Sequence, residues 1–262
     1  MKYFKFYSDK VDNKGNHYVL DTVTNFKLFA SLLCTFNDPF EGLVTASSPE
    51  YLPRVKETID RLHTRRAVVC LSHAEKEDFV KQNIQMWAHY ADNHKGFCIE
   101  YNEKILQGLT QVRDDKLGIR NENVWIDVEY VREMTNVSAI DQPDDFVAAI
   151  GRKEEKWKYE NETRLIYRFI LDEKLSENGN RKLGNHVSIC KDAVDAIYIG
   201  LQAPNNLSER LRQFAFKNHI PCYRMIFSPH SYSLEVRNVS KMVDMYQLFF
   251  EELRNIYELQ KH

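Results

Sequence analysis

The stretch KWKYENETRLIYRF, residues 156–169, joins a charged, aromatic segment to a run with the composition of a β-strand. Glu160 and Glu162 stand two residues apart at the entrance to this run, and side chains at i and i+2 of a strand point to the same face. Arg164 is next on that face. Two carboxylates side by side repel each other, so the sequence predicts one of two arrangements. Either a site uses them, or the run is an edge strand on which Arg164 and Lys156 neutralise them.

Further strands and helices are predicted along the whole chain from apolar periodicity and from turn residues. The predicted strands or apolar runs cover residues 3–8, 26–33, 66–72, 97–101, 124–131, 163–171, 193–200 and 220–227. The predicted helices cover residues 49–66, 84–94, 144–157, 208–219 and 240–260, and a polar loop is predicted at 172–185. The helix at 84–94 is expected to end near Gly96, since glycine readily supplies a left-handed cap.

No repeat or linker divides the sequence, so we expect a single α+β domain over residues 1–262 with a mixed or antiparallel sheet and flanking helices. The segment after residue 200 would be a C-terminal extension of strand and helix. Its last helix, 240–260, is long and amphipathic, and it either packs on the core, which we favour, or forms a homo-oligomer.

Composition points to a soluble, cytoplasmic protein. The formal net charge is −2, so no global basic field draws the chain to nucleic acid or to an anionic membrane. No window approaches the roughly 18 apolar residues of a membrane span. The five cysteines are scattered without a C-x-x-C pair, which indicates reduced thiols.

The segment FNDPFEG, residues 36–42, is the first candidate for chemistry. Asn37 and Asp38 can bond their own backbone and Pro39 fixes φ, so a tight structural turn is the simplest interpretation. The functional interpretation has Asn37 or Asp38 lining a pocket with Phe40 as its apolar wall.

The second candidate combines Ser72, at the end of the strand 66–72, with the helix segment that contains Trp87, His89 and Tyr90. A Ser-His dyad needs a third, orienting group, and no G-x-S-x-G elbow is present. Trp87 and Tyr90 are interpreted either as core residues or as a ligand platform.

A metal site is not expected. His89, His94 and Cys98 are the residues that come closest to a zinc-ligand pattern, and their spacing matches no established arrangement. We therefore expect His89 to orient a neighbouring group and not to bind metal.

Several motifs together resemble one bacterial family, the domain of unknown function numbered 2971. In chain order they are FNDPFE, C-x-S, W-A-H-Y-A-x-x-H-K-G, the V-x-Y of residues 128–130, K-W-x-Y-E-x-E-x-R and I-Y-I-G. The resemblance covers about residues 3–200. It implies an accessory bacterial protein, often associated with antiviral defence or toxin function.

A weaker resemblance, to ADP-ribosyltransferase-like folds, implies a mechanism. Those folds carry a polar residue on the first strand, a serine on a later strand and a glutamate, often in E-x-E, on a further strand. Tyr3 or Lys5, Ser72 and the Glu160–Glu162 pair occupy these places here. The resemblance implies NAD as substrate and Glu162 as the carboxylate that stabilises an oxocarbenium-like transition state.

The same resemblance implies roles for other residues. Glu160 would orient the acceptor, and Tyr90 or Trp87 would stack on nicotinamide. Lys156, Trp157 and Arg164 would be further substrate-binding residues. Two alternatives stay open: an effector that hydrolyses nucleotides or nucleic acid, and a non-catalytic module that binds a ligand or a partner protein. The acceptor, protein or nucleic acid, is not specified by the sequence.

Overall fold

Ten strands form one large, mostly antiparallel sheet in the computed structural model, which describes residues 1–9, 18–75, 78–106, 119–136, 149–169 and 184–240. The strands that carry the sheet are β1 (Lys2–Tyr7), β2 (Lys27–Leu32), β4 (Arg66–Ala74), β5 (Phe97–Tyr101), β6 (Ile119–Asp127), β10 (Glu162–Phe169), β11 (Gly184–Ser188), β12 (Val194–Ile199), β13 (Cys222–Phe227) and β14 (Leu234–Asn238). The short strands β3 (Val44–Thr45), β7 (Glu129–Val131), β8 (Thr135–Asn136) and β9 (Arg152–Glu154) form two separate pairs, β3–β8 and β7–β9. The mixed α/β architecture with a largely antiparallel sheet agrees with the sequence prediction.

The strand order of the large sheet is β11-β2-β4-β1-β5-β12-β13-β14. In addition, β10 pairs with β4 on the edge opposite to β1 and β2, and β6 pairs with β10. Among the described strands of this sheet, only the β12–β13 pair is parallel. Because β10 lies between β4 and β6, it is a central strand, and the edge-strand interpretation of residues 163–169 is wrong.

The sheet splits where β1 and β2 share one edge of β4. β1 pairs with β4 only at residues 72–74, and β2 pairs with it only at residues 67–68. Residues 69–71 of β4 therefore have neither neighbour on that edge, and the sheet opens there.

Five helices with both ends inside the described segments pack around the sheet: α1 (Tyr18–Thr24), α2 (Leu52–Arg65), α3 (Phe79–Gln82), α4 (Ile84–Tyr90) and α5 (Asn205–Asn218). α2 begins with Pro53 in its first turn, as expected, since proline there sacrifices no hydrogen bond. α1 and α5 contact the β2 and β12–β13 regions of the sheet, and α2 covers β3 and the β2–β4–β10 face. None of the described helices has the length and apolar character needed to span a bilayer.

Two sets of core side chains form on the two faces of β4 and β10. Val69, Leu71 and Leu165 belong to the larger cluster, whereas Val68 and Ile166 pack with α2 in another. The strand alternation that separates these sets also places Ser72, Cys70, Glu162 and Arg164 on the α2 side, since paired residues share a face.

The predicted helix 144–157 is only partly correct. Residues 144–148 lie outside the described residues, and Ala149 and Ile150 are helical, but Arg152–Glu154 forms β9 and Glu155–Glu160 forms a 3-10 helix. The charged run RKEEK is compatible with an α-helix. It is equally compatible with a strand that pairs with β7 and is followed by a short helix. The sequence predicted neither β11, which takes the end of the expected loop, nor β14. The helix predicted at 240–260 lies beyond residue 240, the last one described.

The helix of the WAHY motif also ends earlier than predicted. α4 ends at Tyr90, and Asp92, Asn93 and His94 take positive φ values of 49, 53 and 68°. Gly96 is not the left-handed cap; it is required because a Cβ there would lie 1.9 Å from the Tyr7 carbonyl oxygen. The glycine thus lets the turn after α4 approach the backbone of β1.

Candidate functional site

A cavity of about 500 Å³ lies at the split of the sheet. It is lined by β1, by the stretch of β4 that has no neighbour on that edge, by the FNDPFE turn and by α4. We call it the split cavity. Lys5 lies on one wall, and its ammonium group donates a hydrogen bond to the backbone carbonyl of Cys70 at 2.9 Å. Glu160, Glu162 and Ser72 lie on the wall that β4 and β10 form.

Glu160 and Glu162 converge on one cation, Lys153 of β9. The Lys153 ammonium lies 2.6 Å from Glu160 Oε2 and 3.5 Å from Glu162 Oε2, and it also lies 3.2 Å from Glu41 Oε1. All four side chains are at least nine-tenths buried. Because three carboxylates surround one ammonium group, the like charges are held together by a shared counter-ion.

Arg164 forms the second cation of this charge network and is fully buried. Its Nε and Nη2 donate to the two oxygens of Glu162 at 3.0 and 2.9 Å. Its Nη1 and Nη2 donate to the two oxygens of Glu41 at 2.9 and 2.7 Å. Such two-pronged pairs fix the carboxylate planes, so Glu162 has a single orientation at the cavity wall.

The network pushes the pKa values of the two carboxyls in opposite directions. Burial alone would raise the pKa of Glu162, but Arg164 and Lys153 overcome it and lower that pKa to about 2. Burial raises the pKa of Glu160, with Lys153 opposing the rise and Glu162 adding to it. Glu162 is therefore held ionised, and Glu160 is the carboxyl that takes up a proton more readily.

The cations of the network stay charged. Burial opposes the charge of Lys153, yet Glu162, Glu41 and Glu160 together raise its pKa well above the usual value. Burial likewise opposes the charge of Arg164, and Glu162 with Glu41 raises its pKa. With three carboxylates and two cations, the five side chains formally carry one negative charge in excess.

Helix α4 contributes two side chains through the WAHY motif. The Tyr90 hydroxyl donates to Glu160 Oε1 at 2.5 Å, and His89 Nδ1 lies 2.7 Å from the Tyr159 hydroxyl. His89 itself is exposed. Successive residues at the end of α4 thus reach the 3-10 helix and the carboxylate that follows it.

Asn161 makes the turn between the 3-10 helix and β10. Its backbone is left-handed, with φ of 44°, and its side-chain amide donates to the His73 carbonyl. The Glu162 backbone N–H donates to the Tyr130 hydroxyl at 2.8 Å, which gives the V-x-Y motif a structural role. The Asn161–His73 and Glu162–Tyr130 hydrogen bonds therefore fix the backbone at Glu162, and Arg164 fixes its carboxylate.

The structure brings half of the sequence-predicted site residues together. Seven line the split cavity: Lys5, Asn37, Ser72, His89, Tyr90, Glu160 and Glu162. Asn37 and Glu162 thus share one cavity, as expected for the FNDPFE and KWKYENE motifs. Ser72 and Glu162 are direct cross-strand partners, and Phe4 of β1 pairs with Ser72 on its other side.

Three predicted residues, Tyr3, Trp87 and Arg164, line neither the split cavity nor a second cavity that lies beside it. Trp87 is fully buried, and its indole N–H donates to the Val80 carbonyl, so it cannot stack on a ligand. Tyr3 packs against the main core. Arg164 lies behind Glu162 and orients it. Lys156 does not pair Glu160 or Glu162; it contacts Glu154 at 3.2 Å on the surface.

A second cavity of about 630 Å³ lies beside the first and takes in the remaining predicted residues. Asp38, Phe40, Lys156 and Trp157 line it, and Tyr159 adds another aromatic wall. We call it the aromatic cavity. His89 and Lys153 line both cavities, so the two share a wall.

Sequence reasoning missed Lys153 and Glu41, the residues that complete the charge network. Glu41 belongs to the FNDPFEG motif, which was singled out, but the expected turn gave its side chain no role. Lys153 was assigned to a helix, and only the three-dimensional pairing of β9 with β7 directs it inward. No group of three or more His, Cys, Asp or Glu side chains in the described part of the chain is arranged to hold a metal ion.

Residues 86–165 match the model of a family described as Protein of unknown function (DUF2971), and the chain resembles that family over this segment. The segment contains the WAHY, V-x-Y and K-W-x-Y-E-x-E-x-R motifs, so the resemblance expected from them is confirmed. It contains four of the five charge-network residues, namely Lys153, Glu160, Glu162 and Arg164, and also Tyr90. No curated protein and no solved structure matches the chain significantly.

Proposed function

We propose that the split cavity binds NAD and cleaves its nicotinamide–ribose bond, transferring ADP-ribose to water or to another acceptor. The observation that carries the proposal is the Glu162 carboxylate, which lies at the cavity wall with both oxygens bound by the Arg164 guanidinium. Arg164 and Lys153 lower its pKa and hold it ionised. A fixed negative charge lowers the barrier when positive charge develops beside it, as it does on a ribose whose cationic leaving group departs.

The order of neighbouring strands supports an ADP-ribosyltransferase-like arrangement. β1, the serine strand β4 and the glutamate strand β10 lie side by side, and these are the three strands to which the resemblance assigns site residues. Phe4, Ser72 and Glu162 form one row across them. Lys5 on β1 offers an ammonium group to a phosphate or a ribose hydroxyl of the substrate.

Glu160 and Glu162 have different roles in this mechanism. The C1′–N bond of the substrate breaks, the bonding electrons leave with nicotinamide, and Glu162 stabilises the oxocarbenium ion. The acceptor oxygen or nitrogen then bonds C1′, and its proton passes to Glu160, whose pKa burial raises. Tyr90 holds Glu160 in place through its hydroxyl and lines the cavity as a stacking surface.

The shape and charge of the cavity favour a small molecule over a nucleic acid. Its volume of about 500 Å³ is in the range of small-ligand sites. Among the described residues that line it, Lys5 and Lys153 are matched by Glu160 and Glu162, so the wall is not a basic stripe. A nucleic-acid phosphate backbone would find no surplus of positive charge here.

Nicotinamide release from NAD tests the proposal. We expect the wild-type protein to release nicotinamide and both Glu162→Gln and Glu160→Gln to reduce the rate, the first by about 10²-fold or more, as removal of one preorganised charge does. Glu209→Gln, an exposed glutamate on α5, is the matched control and should keep full activity. Circular dichroism at the assay temperature shows which variants are folded.

Two results would contradict the proposal. One is a folded wild-type protein that releases no nicotinamide with water or with any of several protein and nucleic-acid acceptors. The other is a folded Glu162→Gln or Glu160→Gln variant as active as the Glu209→Gln control. NAD binding without nicotinamide release would instead support the non-catalytic binding module. The carboxylates of Glu160 and Glu162 already accept hydrogen bonds within the protein, which is the reason to consider that alternative.

A further inference from the structure

We propose that the aromatic cavity binds the adenine ring of the same dinucleotide, so that the ligand spans both cavities across their shared wall. This inference rests on the proposed function for the identity of the ligand. The chemistry that the cavity recognises is a flat, uncharged heteroaromatic ring with an amino group.

The walls of the aromatic cavity suit a planar ring. Phe40, Met134, Trp157 and Tyr159 line it together with aliphatic side chains, and its volume is about 630 Å³. Phe40 is 58% exposed and Met134 46%, although large apolar side chains usually become buried when nothing else covers them. Trp157 lies 6.0 Å, between ring centroids, from both His89 and Tyr159. A nucleobase can stack on such an aromatic surface without any contact to a charged group.

The charges at the cavity favour a neutral ring over a phosphate. The lining cations Arg132, Arg152 and Lys156 each contact a carboxylate, Glu155, Glu129 and Glu154 respectively. The Lys153 ammonium is surrounded by its three carboxylates and also lies 4.9 Å from the Trp157 ring centroid. Positive charge at this cavity is therefore already balanced, and an anionic group would gain little there.

Asp38 supplies a hydrogen-bond acceptor for an amino group. It lines the aromatic cavity and is only 5% exposed. Its Oδ1 accepts from the Phe40 backbone N–H at 2.9 Å, which fixes the orientation of the carboxylate within the FNDPFE turn. A buried carboxylate discriminates strongly between a ring that donates a hydrogen bond and one that cannot.

The shared wall explains why one ligand would occupy both cavities. His89 and Lys153 line each of them, and His89 is exposed between Tyr159 on one side and Tyr90 on the other. Two rings of a dinucleotide are joined by a flexible ribose–pyrophosphate linker, which can pass over an exposed side chain. The adenine and nicotinamide ends would then lie on opposite sides of His89.

The test measures adenosine binding by calorimetry with the complete, folded chain, and it requires no turnover. We expect adenosine to bind, purine riboside, which lacks the amino group, to bind at least about tenfold more weakly, and Phe40→Ala to weaken adenosine by about fivefold or more. Phe216→Ala is the matched control, because Phe216 is 59% exposed and lines neither cavity. Phe40 and Phe216 are both more than half exposed, so neither change should affect folding.

Three outcomes would overturn the inference: no adenosine binding, equal affinity for adenosine and purine riboside, or equal weakening by Phe40→Ala and Phe216→Ala. These outcomes are distinguishable from a failure of the proposed function. Adenosine binding that depends on Phe40 in a protein that releases no nicotinamide would keep this site and refute NAD cleavage. Nicotinamide release without adenosine binding would do the reverse.

Discussion

Lys153 is the residue on which the candidate site depends, because its ammonium group contacts Glu41, Glu160 and Glu162. Burying three carboxylates is costly unless each finds a counter-ion, and Lys153 and Arg164 divide that task. Arg164 takes both oxygens of Glu162, whereas Glu160 relies on Lys153 and on the Tyr90 hydroxyl. The two carboxylates are therefore not equivalent.

This difference predicts unequal losses of stability. From sequence alone, Glu162→Gln is expected to leave folding almost intact. The structure changes that expectation, because the substitution leaves the buried Arg164 with only Glu41 as a carboxylate partner. We expect Glu162→Gln to cost about 3 kcal/mol of unfolding free energy, a value near the low end for breaking a buried pair. Glu160→Gln should cost less than about 1 kcal/mol, since burial already disfavours the charge of Glu160.

Urea unfolding at neutral pH checks both values, with Glu209→Gln as the exposed control. Equal costs for the two buried glutamates would mean that Arg164 does not distinguish them. A larger cost for Glu160→Gln than for Glu162→Gln would show that Lys153, and not Arg164, carries most of the stabilisation.

At the scale of elements, the sequence predicted the meeting of the two carboxylates for a partly wrong reason. Alternation along a strand was expected to place Glu160 and Glu162 on one face. In the structure Glu160 ends a 3-10 helix and Glu162 begins β10, and the left-handed Asn161 lies between them. Asparagine tolerates that conformation better than most residues, but a single sequence gives no sign that it adopts it here.

Gly96 joins the turn after α4 to β1, and its replacement tests whether this contact is as close as the structure shows. A Cβ at Gly96 would lie 1.9 Å from the Tyr7 carbonyl oxygen, which is backbone and cannot rotate away. We expect Gly96→Ala to lower the unfolding free energy by about 3 kcal/mol or more, the upper end for overpacking. Lys95→Ala, an exposed neighbour, should change it by less than about 0.5 kcal/mol. A loss below about 1 kcal/mol for Gly96→Ala would contradict the close approach.

Elements with strong apolar patterns were predictable, and those decided by tertiary pairing were not. β1, β4, β5 and β12 follow directly from runs of apolar residues, and α2 follows from apolar residues at helical spacing. The sequence predicts one α-helix where the structure has β9 and the 3-10 helix, because RKEEKW carries good helix formers and its strand partner β7 is distant in sequence. β11 and β14 are short and polar, and each lies at one end of the main sheet order. Their pairing partners, not their own composition, determine them.

At the scale of the whole molecule, motifs far apart in sequence meet at the split of the sheet. FNDPFE, C-x-S, the WAHY helix and KWKYENE all reach one of two adjoining cavities. The sequence could indicate that these motifs belong together, because polar and aromatic residues cluster in each. It could not indicate that they divide between two cavities, since that depends on where β1 and β2 separate from β4.

The charge network also sets how the folded protein responds to acid. The pKa of Glu162 lies below its unfolded value of about 4.5, so the stability it contributes is fully present above that pH and is lost as the pH falls toward about 2. Glu160 acts in the opposite direction, because its pKa is raised on folding. Its charged form is the less favourable one in the folded state, and protonation relieves the repulsion between the pair.

The ionisation of Glu162 is the claim on which the proposed mechanism depends, and carbon-13 NMR of protein labelled at the glutamate side-chain carboxyls measures it directly. The resonances that vanish in Glu162→Gln and in Glu160→Gln identify the two residues. We predict that the Glu162 carboxyl signal keeps its ionised position from about pH 7 to about pH 4, while the Glu160 signal moves first as the pH falls. A Glu162 carboxyl that titrates at or above its ordinary pKa of about 4.5 would contradict the proposed mechanism, because no fixed charge would then line the cavity.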